Sequence, residues 1–180
     1  MINIIEGLSD YGFILVKFIS NPSSNYEEKS DGRMSFKTNT NEKTIEIHFN
    51  AEVLDFSNFF KDIFGEDNSI ESIDLSNFDI HRITNMIKMF ANCQKLVEIK
   101  GLNNLDTTSV KNMNGMFFYC TSLKSLDLSN FDTSSVTDMN QMFNQCNSLK
   151  SLDLSKFNIS SVTNMGLMFM DFYNFQSLDI

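Results

Sequence analysis

The chain has 180 residues, of which 42% are hydrophobic and 21% charged, and it contains one proline. This composition excludes a disordered or collagen-like polymer and predicts one ordinary domain with its own core. With 14 Lys and Arg against 23 Asp and Glu, the formal net charge is −9. Such a charge repels phosphate and argues against nucleic acid or an anionic lipid surface as the main partner. No local basic patch stands out in the sequence.

The longest apolar run, Tyr11 to Ile19, covers about nine residues and is interrupted by Lys17, whereas a transmembrane helix needs roughly 20. We therefore expect no membrane insertion. The residues before this run contain no Lys or Arg, so we expect no secretory signal in this sequence. Cys93, Cys120 and Cys146 are too sparse for a disulfide-stapled domain. The redox state of the cysteines and the cellular compartment therefore stay open.

The first 43 residues do not share the repeat that follows them. The segment from Tyr11 to Ser20 is rich in Phe, Ile, Leu and Val and predicts a strand. Asn21 to Asn25 predicts a loop, and Arg33 to Thr38 predicts a second strand. The end of a repeat array needs its apolar edge covered. We interpret residues 1–43 as a small β-rich cap.

A unit of 26 or 27 residues recurs through the rest of the chain. Three columns show the period: Ile83, Val110, Val136 and Val162; Met86, Met113, Met139 and Met165; Phe90, Phe117, Phe143 and Phe169. The one-residue excess falls at Ile99 to Leu102, where Gly101 permits a bulge. We place the array at residues 44–180. Its units lie near 44–69, 70–95, 96–122, 123–148 and 149–174, with a partial unit at 175–180. The first of these units rests on register alone.

The apolar period changes inside each unit and predicts its two elements. Leu126 and Leu128 alternate with polar residues, which is the period of a short strand with one face inward. Five later apolar positions predict one face of a helix of about three turns: Val136, Met139, Met142, Phe143 and Cys146. Ser135 and Asp138 resemble a capping box at its start. Because one strand and one helix cannot close a core, the units must stack, and their strands form a parallel sheet on one side.

The segment Leu126-Asp-Leu-Ser-Asn-Phe-Asp-Thr-Ser-Ser-Val136, followed by Met139, Met142-Phe143 and Cys146, resembles a leucine-rich repeat of the BspA type. The resemblance covers roughly residues 70–180. It implies an α/β repeat fold, a right-handed leucine-rich-repeat-like solenoid with a short parallel sheet on one side and short helices on the other. It also implies a surface protein, at the cell surface or secreted, that adheres to other proteins. Four residues occupy the site where ordinary leucine-rich repeats carry Asn or Cys: Phe78, Leu105, Phe131 and Phe157. We therefore expect the usual Asn ladder to be absent.

We interpret the Met and Phe columns as core packing, because Met fills irregular gaps between packed segments. The rival interpretation is a soft-metal site formed by Met86, Met89, Met113 and Met116. The Cys column predicts small thiols buried against the core, although stacking could bring Cys120 and Cys146 within disulfide distance. No His or Cys pair has the spacing of a zinc site. We expect no metal and no cofactor.

One column on the outward face of the predicted strands is mostly acidic. It reads His48, Asp74, Lys100, Asp127, Asp153 and Asp179, flanked by Ser72, Ser76, Ser125, Ser129, Ser151 and Ser155. Adjacent strands would place its members about 4.8 Å apart. The column is either an ordinary solvated sheet face or a face that binds a basic protein segment. The candidate binding residues are Asp74, Asp127, Asp153, Asp179, Ser125, Ser129, Ser151 and Ser155.

The sequence does not favour catalysis. Its two histidines, His48 and His81, lie at non-equivalent positions of neighbouring units and belong to no nucleophile motif. Its seven glycines form no phosphate-binding loop. We predict a non-enzymatic protein-binding or adhesion module that presents a Ser/Asp-rich sheet face to a protein ligand. Two alternatives stay open. One is self-assembly through the C-terminal edge near Ile180, and the other is divalent-cation binding on the Asp column.

Overall fold

The computed structural model describes residues 13–19, 33–38, 44–49, 55–59, 70–76 and 83–180, the first three ranges by their backbone alone. Its strands are β1 (Phe13–Ile19), β2 (Arg33–Thr38), β3 (Thr44–Phe49), β4 (Ile70–Asp74), β5 (Glu98–Lys100), β6 (Ser151–Asp153) and β7 (Ser177–Asp179). A 3-10 helix spans Leu102–Asn104. The predictions for the loop at residues 21–25, for Phe78 and for His81 fall outside the described residues.

The N-terminal strands form one sheet with the first strands of the repeats. β3 pairs antiparallel with β1 and with β2, β2 pairs antiparallel with β4, and β4 pairs parallel with β5. The strands predicted within Tyr11 to Ser20 and at Arg33 to Thr38 are thereby confirmed. Because β2 hydrogen-bonds to one edge of β4, the parallel pair has no open edge on that side.

The pairing of β3 corrects the prediction that a repeat unit begins near Thr44. Such a unit would place this strand parallel to β4, but β2 already occupies that edge of β4 and β3 lies between β1 and β2. The first turn of the repeats is found later, at residues 55–59. There the amides of Phe56 and Asn58 donate to the carbonyls of Asn85 and Ile87, each 29 residues along the chain.

The parallel strands of the repeats form two separate pairs instead of one continuous sheet. β6 pairs with β7, but residues 124–128, the predicted strand of the preceding unit, are not in a strand. Between β5 and this segment the chain inserts the turn at Leu102–Asn104. The side chain of Asn103 donates from Nδ2 to Oδ2 of Asp127 at 2.9 Å, and Asn130 donates from Nδ2 to the Asn103 carbonyl at 3.2 Å. These side-chain hydrogen bonds take the place of some of the backbone hydrogen bonds that a continuous parallel sheet would have here.

The second half of each unit is a run of tight turns that hydrogen-bonds to the next unit. Every second amide donates to a carbonyl one unit along. The amides of Met86, Lys88, Phe90 and Asn92 donate in this way to the carbonyls of Asn112, Asn114, Met116 and Phe118. The same arrangement joins the two later pairs of units. Each unit therefore depends on its neighbour to satisfy its backbone. We call these amides and carbonyls the turn row.

The predicted three-turn helix over residues 136–146 is wrong. Between residues 83 and 180 the single helix is the short one at Leu102–Asn104. Gln141 and Gln145 have left-handed φ values of 57° and 61°, and their amides bind carbonyls in the next unit, whereas an α-helix needs those amides for its own residues four back. The helix-like spacing comes from successive turns. No helix in the described part of the chain is long and apolar enough to span a bilayer.

The core is built from the predicted columns. The fully buried residues at these repeating positions are Ile83, Met86, Met89, Phe90, Val110, Met113, Met116, Phe117, Cys120, Val136, Met139, Met142, Phe143 and Cys146. The rings of Phe90, Phe117, Phe143 and Phe169 form a stack with centroid separations of 5.4, 5.7 and 6.0 Å. These findings confirm that the Met and Phe columns pack the core as far as Phe143, whereas Met165 is 40% exposed and Phe169 is half-buried.

Candidate ligand-binding face

The exposed side of β6 and β7 carries part of the predicted Ser/Asp column. Ser151 and Asp153 are exposed, while Leu152 between them is buried, which is the alternation of a strand with one face inward. In the parallel register Ser151 lies opposite Ser177, and Asp153 lies opposite Asp179. Neighbouring strands are about 4.8 Å apart. The two acidic residues therefore lie side by side, as the sequence predicts.

We call this surface the Ser/Asp face and define it by the predicted binding residues Asp74, Asp127, Asp153, Asp179, Ser125, Ser129, Ser151 and Ser155. All of them are exposed except Asp74, which is half-buried. The structure pairs the members on β6 and β7 directly. Asp127 lies outside the strand ladder, where Asn103 holds its carboxylate.

The N-terminal end of the column differs from the prediction. His48 lies on β3, opposite Leu15 and Arg33, and β3 is not adjacent to β4. The residue beside Asp74 on that side is Ser35, and on the other side it is Lys100. His48 is therefore not part of the Ser/Asp face, because β2 lies between its strand and β4.

The aspartates of this face also have a structural role. Oδ1 of Asp127 accepts the Ser129 amide at 3.1 Å and its hydroxyl at 2.6 Å. Oδ1 of Asp153 accepts the Ser155 amide at 2.9 Å. Donation from the Ser155 hydroxyl and then from its amide lowers the pKa of Asp153 below its usual value, so this carboxylate is charged at neutral pH. One oxygen of each carboxylate closes a turn.

The geometry of the face does not by itself favour a metal ion. Within the described residues, no group of three His, Cys, Asp or Glu side chains is placed to hold one. Asp153 and Asp179 supply two carboxylates, whereas Ca²⁺ takes roughly six to eight oxygen ligands.

The three cysteines are free and buried, as predicted for thiols that face the core. Sγ of Cys120 donates to the Phe90 carbonyl, and Sγ of Cys146 donates to the Phe117 carbonyl, both at 3.1 Å. Burial raises the pKa of Cys93 and of Cys146 to about 12 and raises the pKa of Cys120 well above its usual value. The thiols are therefore protonated at neutral pH.

A ladder of Asn and Asp residues was missed in the sequence. Asp55, Asn85, Asn112, Asp138 and Asn164 are joined in that order by parallel bridges between successive units. Each accepts, on its side-chain oxygen, the amide two residues along. The signal was an Asn or Asp immediately before the first Met of each repeat, at Met86, Met113, Met139 and Met165. The ladder differs in position from the usual leucine-rich-repeat one, and it accounts for Asp138, which closes a turn and does not form the predicted capping box.

A basic groove was also missed. Lys124, Asn147, Ser148, Lys150, Asn174 and Gln176 line a groove of about 620 Å³, which we call the Lys groove. Lys124 and Lys150 are one 26-residue period apart, and stacking makes them neighbours. The expectation of no local basic patch is therefore wrong for this part of the surface. The sequence places the two lysines at the same position of successive repeats. The negative net charge of the whole chain gives no indication of such a local pair.

A family model described as "Mycoplasma protein of unknown function, DUF285" matches residues 33–123 and, in a second placement, residues 55–179. The two placements overlap, as expected when a repetitive sequence is aligned in more than one register. No curated protein and no solved structure matches the chain.

Proposed function

The chain belongs to the DUF285 family, and we propose that it is a non-enzymatic protein-binding or adhesion module whose Ser/Asp face meets a basic segment of a protein ligand. The observation that carries this proposal is the direct pairing of Asp153 with Asp179 and of Ser151 with Ser177 on an exposed surface. A row of hydroxyls and carboxylates at a fixed spacing can make many weak contacts with one extended ligand.

The proposal includes the finer resemblance to BspA-type surface proteins and a right-handed leucine-rich-repeat-like solenoid for the stacked units. Three observations support it. The strands β4 and β5, and β6 and β7, pair in parallel. The turn row repeats between neighbouring units, and the Phe rings stack at nearly constant separation. The short helices do not belong to the proposal, because turns take their place.

A binding experiment with a basic probe peptide tests the function. We expect N-acetylated octalysine amide to bind the full chain at low salt, and Asp127→Asn/Asp153→Asn to weaken that binding about tenfold, since exposed charge pairs contribute about 0.2–1 kcal/mol each. Binding is measured by fluorescence anisotropy of labelled peptide. The fold should persist, because Asn158 accepts the Ser160 amide in the same kind of turn.

The matched control is Asp106→Asn/Asp132→Asn. These two aspartates are also one period apart and also close turns, with Thr108 and Ser134, but they lie off the strand face. Equal weakening by both double variants would mean that the peptide senses net charge alone, and it would remove the Ser/Asp face as the binding surface.

Self-assembly is a second candidate function. Several large apolar side chains within residues 159–180 are exposed, and Met165 is 40% exposed against 0% for its equivalent Met139. A second copy that packs on these residues would bury apolar area and gain stability. Sedimentation over a hundredfold range of protein concentration tests this, and a monomer throughout would exclude it.

A further inference from the structure

The Lys groove lies directly beside the Ser/Asp face and carries the opposite charge. We propose that it binds an acidic side chain of the same protein ligand whose basic segment meets the Ser/Asp face, an inference that rests on the proposed function. The ligand is then a segment with both charge signs in a fixed order along it.

The charge of the groove supports an anionic occupant. Lys124 and Lys150 are both exposed, and neither forms an ion pair within the described part of the chain. The six lining residues contain no Asp or Glu. Two unpaired ammonium groups on neighbouring units repel each other, and a carboxylate between them converts that repulsion into attraction.

The polar lining of the groove is held in place by contacts between units. Ser148 donates from Oγ to the Thr121 carbonyl at 2.7 Å, and Asn174 donates from Nδ2 to the Asn147 carbonyl at 3.1 Å. Oδ1 of Asn147 is buried and has no hydrogen-bond partner. A buried acceptor without a donor is costly. Because this oxygen is buried, the groove is open to a ligand only through its exposed side chains, Lys124 and Lys150 among them.

The spacing of the two surfaces defines the order of charges in the ligand. Lys150 and Asp153 are three residues apart in an extended segment, which corresponds to about 10 Å. A ligand that reaches both surfaces therefore places its acidic and basic groups about 10 Å apart. The net charge of −9 opposes a purely acidic ligand most strongly at low salt, whereas at about 0.15 M salt this repulsion is screened beyond about 8 Å and the two lysines still attract a carboxylate beside them.

The test uses two labelled probes on the full chain, N-acetylated octaglutamate amide at about 0.15 M salt and N-acetylated octalysine amide at low salt. We expect the octaglutamate peptide to bind, and Lys124→Gln/Lys150→Gln to weaken its binding at least fivefold without weakening octalysine binding. The matched control is Lys88→Gln/Lys111→Gln, which removes the same charge from exposed sites elsewhere and should leave octaglutamate binding within about twofold.

The two probes separate this inference from the proposed function. Octaglutamate that does not bind up to millimolar concentration, or that loses affinity equally in both lysine double variants, overturns the Lys groove as an acidic-group site. Loss of octalysine binding in Asp127→Asn/Asp153→Asn, found in the same series, would still support the Ser/Asp face. Failure of octalysine to bind overturns the proposed function, whatever the other probe does.

Discussion

Asn and Asp side chains close many of the turns in the described part of this chain. In the unit at 123–148, Asp127, Asp132 and Asp138 close three successive turns, the last of them at the start of the turn row. Such side chains replace a backbone acceptor and tolerate tight turns. The acidic side chains of this surface therefore also stabilise the turns.

Asp138 tests whether the turn needs an acceptor or a charge. Replacing it by Ala removes the bond to the Asn140 amide and should lower the free energy of unfolding by about 1–2 kcal/mol. Asp138→Asn should cost less than about 0.5 kcal/mol, because Asn112 and Asn164 close the equivalent turns. Urea denaturation measures both. Equal destabilisation by the two variants would mean that the charge matters.

Gly101 is required by its backbone and by its surroundings. Its φ is 66°, and an added Cβ would lie 2.6 Å from the Ser76 nitrogen and 2.8 Å from the Leu75 carbonyl carbon. Left-handed backbone costs a residue with a Cβ about 1–2 kcal/mol, and here neighbouring backbone must move as well. Gly101→Ala should therefore lower the free energy of unfolding by more than about 2 kcal/mol.

Gly115→Ala is the control for this prediction. Gly115 has a φ of 58°, but an added Cβ would meet the flexible Lys88 side chain, at 3.1 Å from Cγ. Gly115→Ala should therefore lose only the stability that left-handed backbone costs a residue with a Cβ. Thermal denaturation of both variants gives the comparison, and a smaller loss for Gly101→Ala would contradict the close approach to Ser76.

The turn row explains why a helix was predicted where none forms. Turns closed every three residues bring apolar side chains to one side, much as a helix does, so spacing alone does not separate the two. The hydrogen-bond partners of the backbone amides distinguish the turns from a helix. The Phe117 amide donates to Met142 in the next unit, which an α-helix does not allow. The same stacking brings Cys120 beside the Phe90 carbonyl and Cys146 beside the Phe117 carbonyl.

The buried Cys column predicts a loss of stability at high pH. The usual pKa is 9.0, and burial raises it to about 12 for Cys93 and Cys146. Between these values the unfolded chain has released thiol protons that the folded chain still holds, so the unfolded state gains. Stability from this source is present below about pH 9 and should fall as pH rises toward 12. Urea midpoints at pH 8, 9, 10 and 11 measure it.

A variant with all three cysteines replaced by Ala separates the thiols from other groups that titrate in this range. It should be less stable at pH 8 because of the lost packing, but its midpoint should fall less between pH 9 and 11. Parallel curves for the two proteins would show that the thiols do not contribute to this pH dependence.

The described repeats are joined mainly to their neighbours in sequence. The turn row, the Phe stack and the parallel strand pairs all link one unit to the next. Stability in such an array is approximately a sum over units and their interfaces. Units with neighbours on both sides should therefore be more protected than a unit with one neighbour.

Hydrogen exchange of the chain tests this. The Phe117 amide donates to the Met142 carbonyl at 2.9 Å, whereas the Phe169 amide has no partner among the described residues. We expect the Phe117 amide to exchange at least about a hundredfold more slowly than the Phe169 amide. Strong protection of Phe169 that grows with protein concentration would instead support self-assembly.

The sequence by itself determined the repeat, the core columns, the two N-terminal strands and the side-by-side placement of Asp153 and Asp179. It did so because a fixed period of apolar residues specifies which side chains are buried together, whatever backbone joins them. Tertiary structure decided what the period leaves open. The turn row replaces a helix, because amides that look local in sequence bond to the next unit. β3 does not pair with the strands of the repeats, because β2 occupies the edge of β4. Lys124 and Lys150 line one groove because neighbouring units are in contact.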